Sequence, residues 1–148
     1  MKARSKLLTS LFAVFLLLFT AVSFAQEMVA APKVRSQGSV SYMSGGVTGD
    51  ERDAMKPLAQ DYSLRMAFAL NVGNYVADVK VKVQNGKGKT VLEVVSDGPW
   101  LYAQLPVGKY KVTAEYEGKA VTKPVSISPK KGSNLHFVWP GVKEKYDD

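Results

Sequence analysis

The sequence predicts an all-β fold: a seven-stranded antiparallel β-sandwich with one short N-terminal helix. Three observations carry the prediction. Apolar and polar residues alternate with a period of two through most of residues 62–140, the pattern of half-buried strands. Turn signals such as Asn85-Gly86, Asp97-Gly98-Pro99 and Glu117-Gly118 punctuate that alternation at short intervals, as in sandwiches. Helical periodicity is confined to one short stretch, so the strand–helix–strand rhythm of a parallel sheet is missing. Hydrophobic residues make up 46% of the 148 residues and charged residues 22%, a balance that supports one globular core.

The chain opens with a targeting pattern. Lys2, Arg4 and Lys6 form a positive region, and Leu7 to Val22 is apolar apart from Thr9, Ser10 and Thr20. Ser23 and Ala25 then place small residues at the −3 and −1 positions of a cut after Ala25, which predicts a signal peptide over residues 1–25 and a periplasmic protein. The apolar run falls short of the ~20 residues that span a membrane, which argues against an anchor.

Residues 26–61 read as a flexible arm carrying a short strand and the helix. Ser39 to Met43 alternates like a strand, and Ser44-Gly45-Gly46 is a turn. Thr48-Gly-Asp-Glu51 is a capping box, in which the Thr48 hydroxyl accepts from the Glu51 amide and Glu51 reaches back. Asp50, Glu51 and Asp53 complement the positive end of a helix dipole. The helix should run from Gly49 to Gln60, with Pro57 kinking or shortening it.

The sandwich, residues 62–140, follows. Leu64, Met66, Phe68 and Leu70 alternate with Arg65, Ala67 and Ala69. Tyr75, Ala77, Val79, Val81 and Val83 alternate with Asp78, Lys80, Lys82 and Gln84. Asn85-Gly86 followed by Lys87-Gly88 marks a hairpin, because these residues tolerate positive φ. Thr90 to Ser96 and Trp100 to Leu105 are the next strands, separated by Asp97-Gly98-Pro99. After the corner Leu105–Tyr110, residues Tyr110, Val112, Ala114 and Tyr116 share one face. Ala120 to Ser128 contains Pro124, which marks an edge strand or a bulge. Leu135, Phe137 and Trp139 point inward on the last strand, and residues 141–148 form a charged tail.

Trp100 and Tyr102, then Leu105, Pro106, Gly108 and Tyr110, form a recognisable set. Two aromatics spaced by two, a leucine, a Pro–Gly corner and a tyrosine resemble the carboxypeptidase regulatory-like domains, over about Leu64 to Trp139. The resemblance implies a transthyretin-like (prealbumin-like) β-sandwich, with Tyr42 to Asp61 as an addition outside the family core. That added stretch is similar to one in proteobacterial periplasmic proteins that pair a Ser-Gly-Gly turn and an acidic helix with such a sandwich. The transthyretin-like fold also includes hydroxyisourate hydrolases, which rely on several histidines and a C-terminal Tyr-Arg-Gly-Ser. This chain has one histidine and ends Val138-Trp-Pro-Gly-Val-Lys-Glu-Lys-Tyr-Asp-Asp, so the resemblance does not extend to that activity.

Composition narrows the chemistry. The absence of cysteine removes disulfides, thiol catalysis and most zinc sites. The formal charge is +7, and without the leader 17 basic residues stand against 13 acidic ones, a net +4. That mild excess implies no nucleic-acid partner and only weak electrostatic attraction to a membrane. His136 lies between Leu135 and Phe137 on a strand, so it should face away from the core, without the partner a general base needs. Asp50, Glu51 and Asp53 lack the spacing of a calcium loop, and Ser44-Gly45-Gly46 is a weak candidate for an anion-binding nest.

Two surfaces remain as candidates. Lys80, Lys82, Lys87, Lys89, Lys109 and Lys111 come from two hairpins and are expected to share an outer face, although charged strands also guard edges. Trp139 at a strand end is the aromatic most open to exposure. The expectation is therefore a secreted, non-catalytic, cofactor-free sandwich that binds a protein or cell-envelope partner. The alternatives are a carbohydrate-binding module, which requires exposed coplanar rings, a capping domain of an assembly and, last, a small hydrolase.

Overall fold

The computed structural model describes residues 30–141. The expected leader with its cut after Ala25, and the charged tail beyond Gly141, lie outside the described residues.

Nine strands, one short α-helix and a 3-10 helix are the regular elements of the described residues. The strands are β1 (Arg35–Gln37), β2 (Val40–Gly45), β3 (Leu64–Leu70), β4 (Lys80–Asn85), β5 (Thr90–Val95), β6 (Trp100–Gln104), β7 (Gly108–Tyr116), β8 (Lys119–Ile127) and β9 (Ser133–Trp139). They form a five-stranded sheet, β1-β2-β6-β3-β9, and a four-stranded sheet, β5-β4-β7-β8. The fold is an all-β sandwich whose core lies between the two sheets. Among the described residues no helix is long and apolar enough to cross a membrane.

Two expectations are corrected. The seven strands read between residues 62 and 140 are β3 to β9, but the sheets hold nine. The stretch read as a flexible arm with one short strand, Ser39 to Met43, holds that strand as β2 and a second, β1, and β2 pairs with β6 from Ser41↔Gln104 to Gly45↔Trp100. Without β2, the β6 edge would leave a row of backbone groups unpaired. Nor is the sandwich purely antiparallel. The chain crosses from β8 to the other sheet and runs β9 parallel to β3, from Leu64↔Ser133 to Leu70↔Trp139.

The helix α1 (Gly49–Met55) ends earlier than Gln60 and passes into a 3-10 helix over Lys56–Asp61. Pro57 stands in the first turn of that second helix, where its missing N–H costs nothing. Thr48 Oγ1 accepts from the Glu51 amide at 3.2 Å, as the capping box requires. The Glu51 carboxylate goes elsewhere: it accepts from the Gly46 and Val47 amides at 3.0 and 2.9 Å. The candidate nest is thus filled by the protein's own carboxylate.

The strand expected from Tyr75 begins only at Lys80. Asp78 adopts φ 57°, a left-handed conformation that aspartate tolerates better than most residues. This break resets the alternation. Val79, Val81 and Val83 are buried as their parity requires, but Val76 turns inward and Tyr75 is 54% exposed. Pro124 sits on β8, an edge strand, as expected.

The core is centred on β3. Leu64, Met66 and Phe68 are fully buried with Val81, Val83, Leu92, Val112 and Phe137. Phe68 packs on Phe137 and Trp139 with ring centroids 5.9 and 6.4 Å apart. The Leu105–Tyr110 corner is locked by the Tyr110 hydroxyl donating to the Pro106 carbonyl at 2.7 Å. The exposed edge of β5 is capped without a strand: the Gln37 side-chain amide accepts from the Glu93 N–H at 2.6 Å and donates to its carbonyl at 3.1 Å. A salt bridge from Arg35 to Asp97 closes the same corner.

Candidate functional site

The outer face of the five-stranded sheet carries the site. Directly paired residues on neighbouring strands share a face, so register alone places its side chains. Arg65 of β3 lies between Tyr102 of β6 and Asn134 of β9. Ala67 lies between Trp100 and His136. Ala69 lies between Tyr75 and Val138. Two alanines on the middle strand, flanked by large side chains on both neighbours, leave a groove along β3. Its volume is about 380 Å³, and Ala59 of the 3-10 helix lines it as well. That is the size range of small-molecule sites.

The aromatic wall is fixed from behind. Met55 of α1 is fully buried and clusters with Met43, Tyr62 and Tyr102, joined by the partly buried Leu58, Ala59 and Trp100. Tyr62 and Tyr102 lie 5.8 Å apart, and Trp100 stacks on Tyr102 at 6.3 Å with an interplanar angle of 23°. Burial pushes the Tyr102 phenol above its ordinary pKa, with the Arg65 guanidinium working weakly against it. Burial also raises Tyr62, helped by Asp61. Both phenols therefore stay neutral through the physiological range.

Two arginines stand beside the groove, each held by backbone carbonyls. Arg65 donates from Nε to Asn134 Oδ1 at 2.8 Å and from Nη1 to the Ala59 carbonyl at 3.2 Å. Arg52 donates from Nη1 to the Gly46 carbonyl at 2.7 Å, and its guanidinium lies 5.2 Å over the Tyr75 ring. Among the described residues neither arginine is in a salt bridge. Among the described residues no aspartate or glutamate lines the groove. Among the described residues, no group of three or more His, Cys, Asp or Glu is placed to hold a metal ion.

The residues singled out from sequence fare differently. Trp139 is corrected: it is 2% exposed, and its indole N–H donates to the Lys119 carbonyl at 2.9 Å. It shares parity with Phe137, which points into the core, so its strand-end position did not expose it. Lys80, Lys82 and Lys111 are exposed on the outer face of the four-stranded sheet, with Lys109 at its end. They do not make a uniform basic patch, because Lys80 lies 3.7 Å from Glu115 and Lys82 lies 3.9 Å from Glu93. Trp100 and Tyr102 stand together in the groove wall, whereas Leu105, Pro106, Gly108 and Tyr110 build the corner and do not line the groove. His136 is exposed on the opposite wall.

Sequence reasoning did not assign Arg65, Ala67, Ala69, Tyr75 or Asn134 to a site. A signal was present. Outward positions on a solvated sheet face are ordinarily polar, yet two of the three on β3 are alanine.

No family model matches the chain, and no curated protein matches it. Among solved structures the chain is similar to one described as the Bacillus anthracis TIE protein, at 16% identity and a TM-score of 0.42. The match covers 52% of this chain and 16% of that one, and a likeness of that size carries no argument about function.

Proposed function

We propose that this protein is a secreted, periplasmic β-sandwich without catalytic activity that binds a cell-envelope component in the groove over Ala67 and Ala69. The observation that carries the reading is the groove itself, with an alanine floor, a wall of Trp100 and Tyr75, and polar groups at Arg65, Asn134 and His136. A concave, mainly apolar site with a few convergent polar groups is the usual form of a binding pocket. Secretion rests on the leader pattern of residues 1–25. We read the sandwich as a transthyretin-like domain of the carboxypeptidase regulatory-like type on the motif from Trp100 to Tyr110. In that reading β3 to β9 are the family strands, and β1, β2 and α1 are additions, of which Met43 of β2 and Met55 of α1 pack behind Tyr102 of the groove wall.

Ala67→Phe tests the proposal. The side chain points out of the sandwich, so a phenyl ring there should fill the groove while leaving the core packed. Immobilised wild-type protein should retain an envelope component that the variant does not, with the circular dichroism of the two proteins alike. Equal retention by both would remove the groove from the account. A second reading, a protein partner, is favoured by the apolar rim: Tyr75 and Val138 are 54% and 51% exposed, and grouped exposed apolar residues mark interaction surfaces. Loss of the retained material after protease treatment would select that reading.

A further inference from the structure

Resting on that reading of the groove, we infer that its ligand is a short acidic oligosaccharide, with a sugar ring stacked on Trp100 and a carboxylate held by Arg65. Charge is the first argument. Among the described residues the groove is lined by Arg65 and by no aspartate or glutamate, and Arg52 stands over Tyr75 at its aromatic wall. A guanidinium already oriented by the Ala59 carbonyl and Asn134 keeps further N–H donors available, and carboxylate is the anion its fork fits in two-point fashion. Because the arginine is fixed beforehand, little side-chain entropy is lost on binding.

Shape is the second argument. From Arg65 to Ala69 the floor runs for roughly 13 Å at the rise of a β-strand. The floor is a sheet face, not a sheet edge. Its backbone N–H and C=O groups are already paired with β6 and β9, so an extended peptide would find no main-chain ladder there and would leave its own amides over alanine. A sugar ring has the opposite needs. Its C–H face is apolar and suits the flat indole of Trp100, while its hydroxyls and carboxylate project sideways toward Asn134, His136 and Arg65.

Calorimetric titration of the purified protein decides the matter. The probes are trisaccharides of galacturonate, of mannuronate and of alternating glucuronate and N-acetylglucosamine, their carboxyl-reduced counterparts, and an oligoglutamate peptide. At least one acidic trisaccharide should bind, and its reduced form should bind roughly tenfold more weakly, as for loss of one charge-assisted hydrogen bond. Arg65→Gln should weaken the acidic sugar by about the same factor and the reduced sugar by clearly less, and added salt should weaken only the acidic one. Arg65→Lys keeps the charge without the fork and should fall between the two. Equal binding of acidic and reduced sugars, tighter binding of oligoglutamate than of any sugar, or no sugar binding would each overturn the inference. If no sugar binds while Ala67→Phe still abolishes envelope retention, the ligand class is wrong and the groove stands. If Ala67→Phe changes nothing, the groove itself is wrong.

Discussion

Replacing Phe68 by Ala should destabilise the protein by about 3–5 kcal/mol, the range for truncating a buried aromatic. Phe68 is fully buried and lies at the middle of β3, the strand that pairs with both β6 and β9. Its ring meets Phe137 and Trp139, so truncation removes the partner of two other aromatics and leaves a cavity the sheets cannot close. Both of those rings belong to β9, which is joined to β3 by a parallel pairing. The effect should appear as a lower denaturation midpoint with an unchanged slope, since the surface exposed on unfolding is nearly the same. A cost below about 1 kcal/mol, the level of a surface substitution, would mean that the core is centred elsewhere.

Met55→Ala should have the second-largest effect, about 2–5 kcal/mol by the same cavity argument, but confined to one region. Met55 is the residue of α1 that is fully buried, and its cluster with Met43, Tyr62 and Tyr102 lies on the outer side of the sheet, apart from the main core. The helix should therefore loosen while the sandwich stays folded. Amide hydrogen exchange reads this directly: residues 49–61 should exchange faster while β3 and β7 keep their protection. The function should follow, because the 3-10 helix supplies the Ala59 carbonyl that orients Arg65. Uniform loss of protection across the chain would show that α1 and the sandwich form one cooperative unit.

Much of this architecture was legible in the residues. Period-two alternation located the strands from β3 to β9, and Asn85-Gly86-Lys87-Gly88 located the first hairpin, although the left-handed residue there is Gly88, at φ 76°. Thr48 and Glu51 announced the start of α1. The misses have physical causes. Alternation cannot see through a backbone break, so Asp78 inverted the expected facing of Tyr75. Strand pairing is not local, so nothing in Ser39 to Met43 reveals that this segment completes the β6 edge. The lysines of β4 and β7 were visible as a series, but the glutamates beside Lys80 and Lys82 come from β7 and β5 and are brought there only by register.

The groove was the least legible feature, because it is made by what is small. Ala67 and Ala69 carry no chemistry and are ordinary strand residues in isolation. They define a site only when β6 and β9 set Trp100 and His136 on either side, and that juxtaposition depends on a parallel pairing between residues almost seventy positions apart. Tyr75 enters through a single bridge to Ala69. The tryptophan chosen from sequence for exposure, Trp139, is in the core, and the one that contributes to the open wall is Trp100.

The most direct test of the central claim is chemical-shift mapping of the isotope-labelled protein on addition of the envelope component that the wild-type protein retains. Perturbations concentrated on Arg65, Ala67, Ala69, Tyr75, Trp100 and His136, with β4 and β5 silent, are the predicted result. Perturbations centred on Lys80, Lys82 and Lys111 with the groove silent would contradict the account and move the binding surface to the four-stranded sheet.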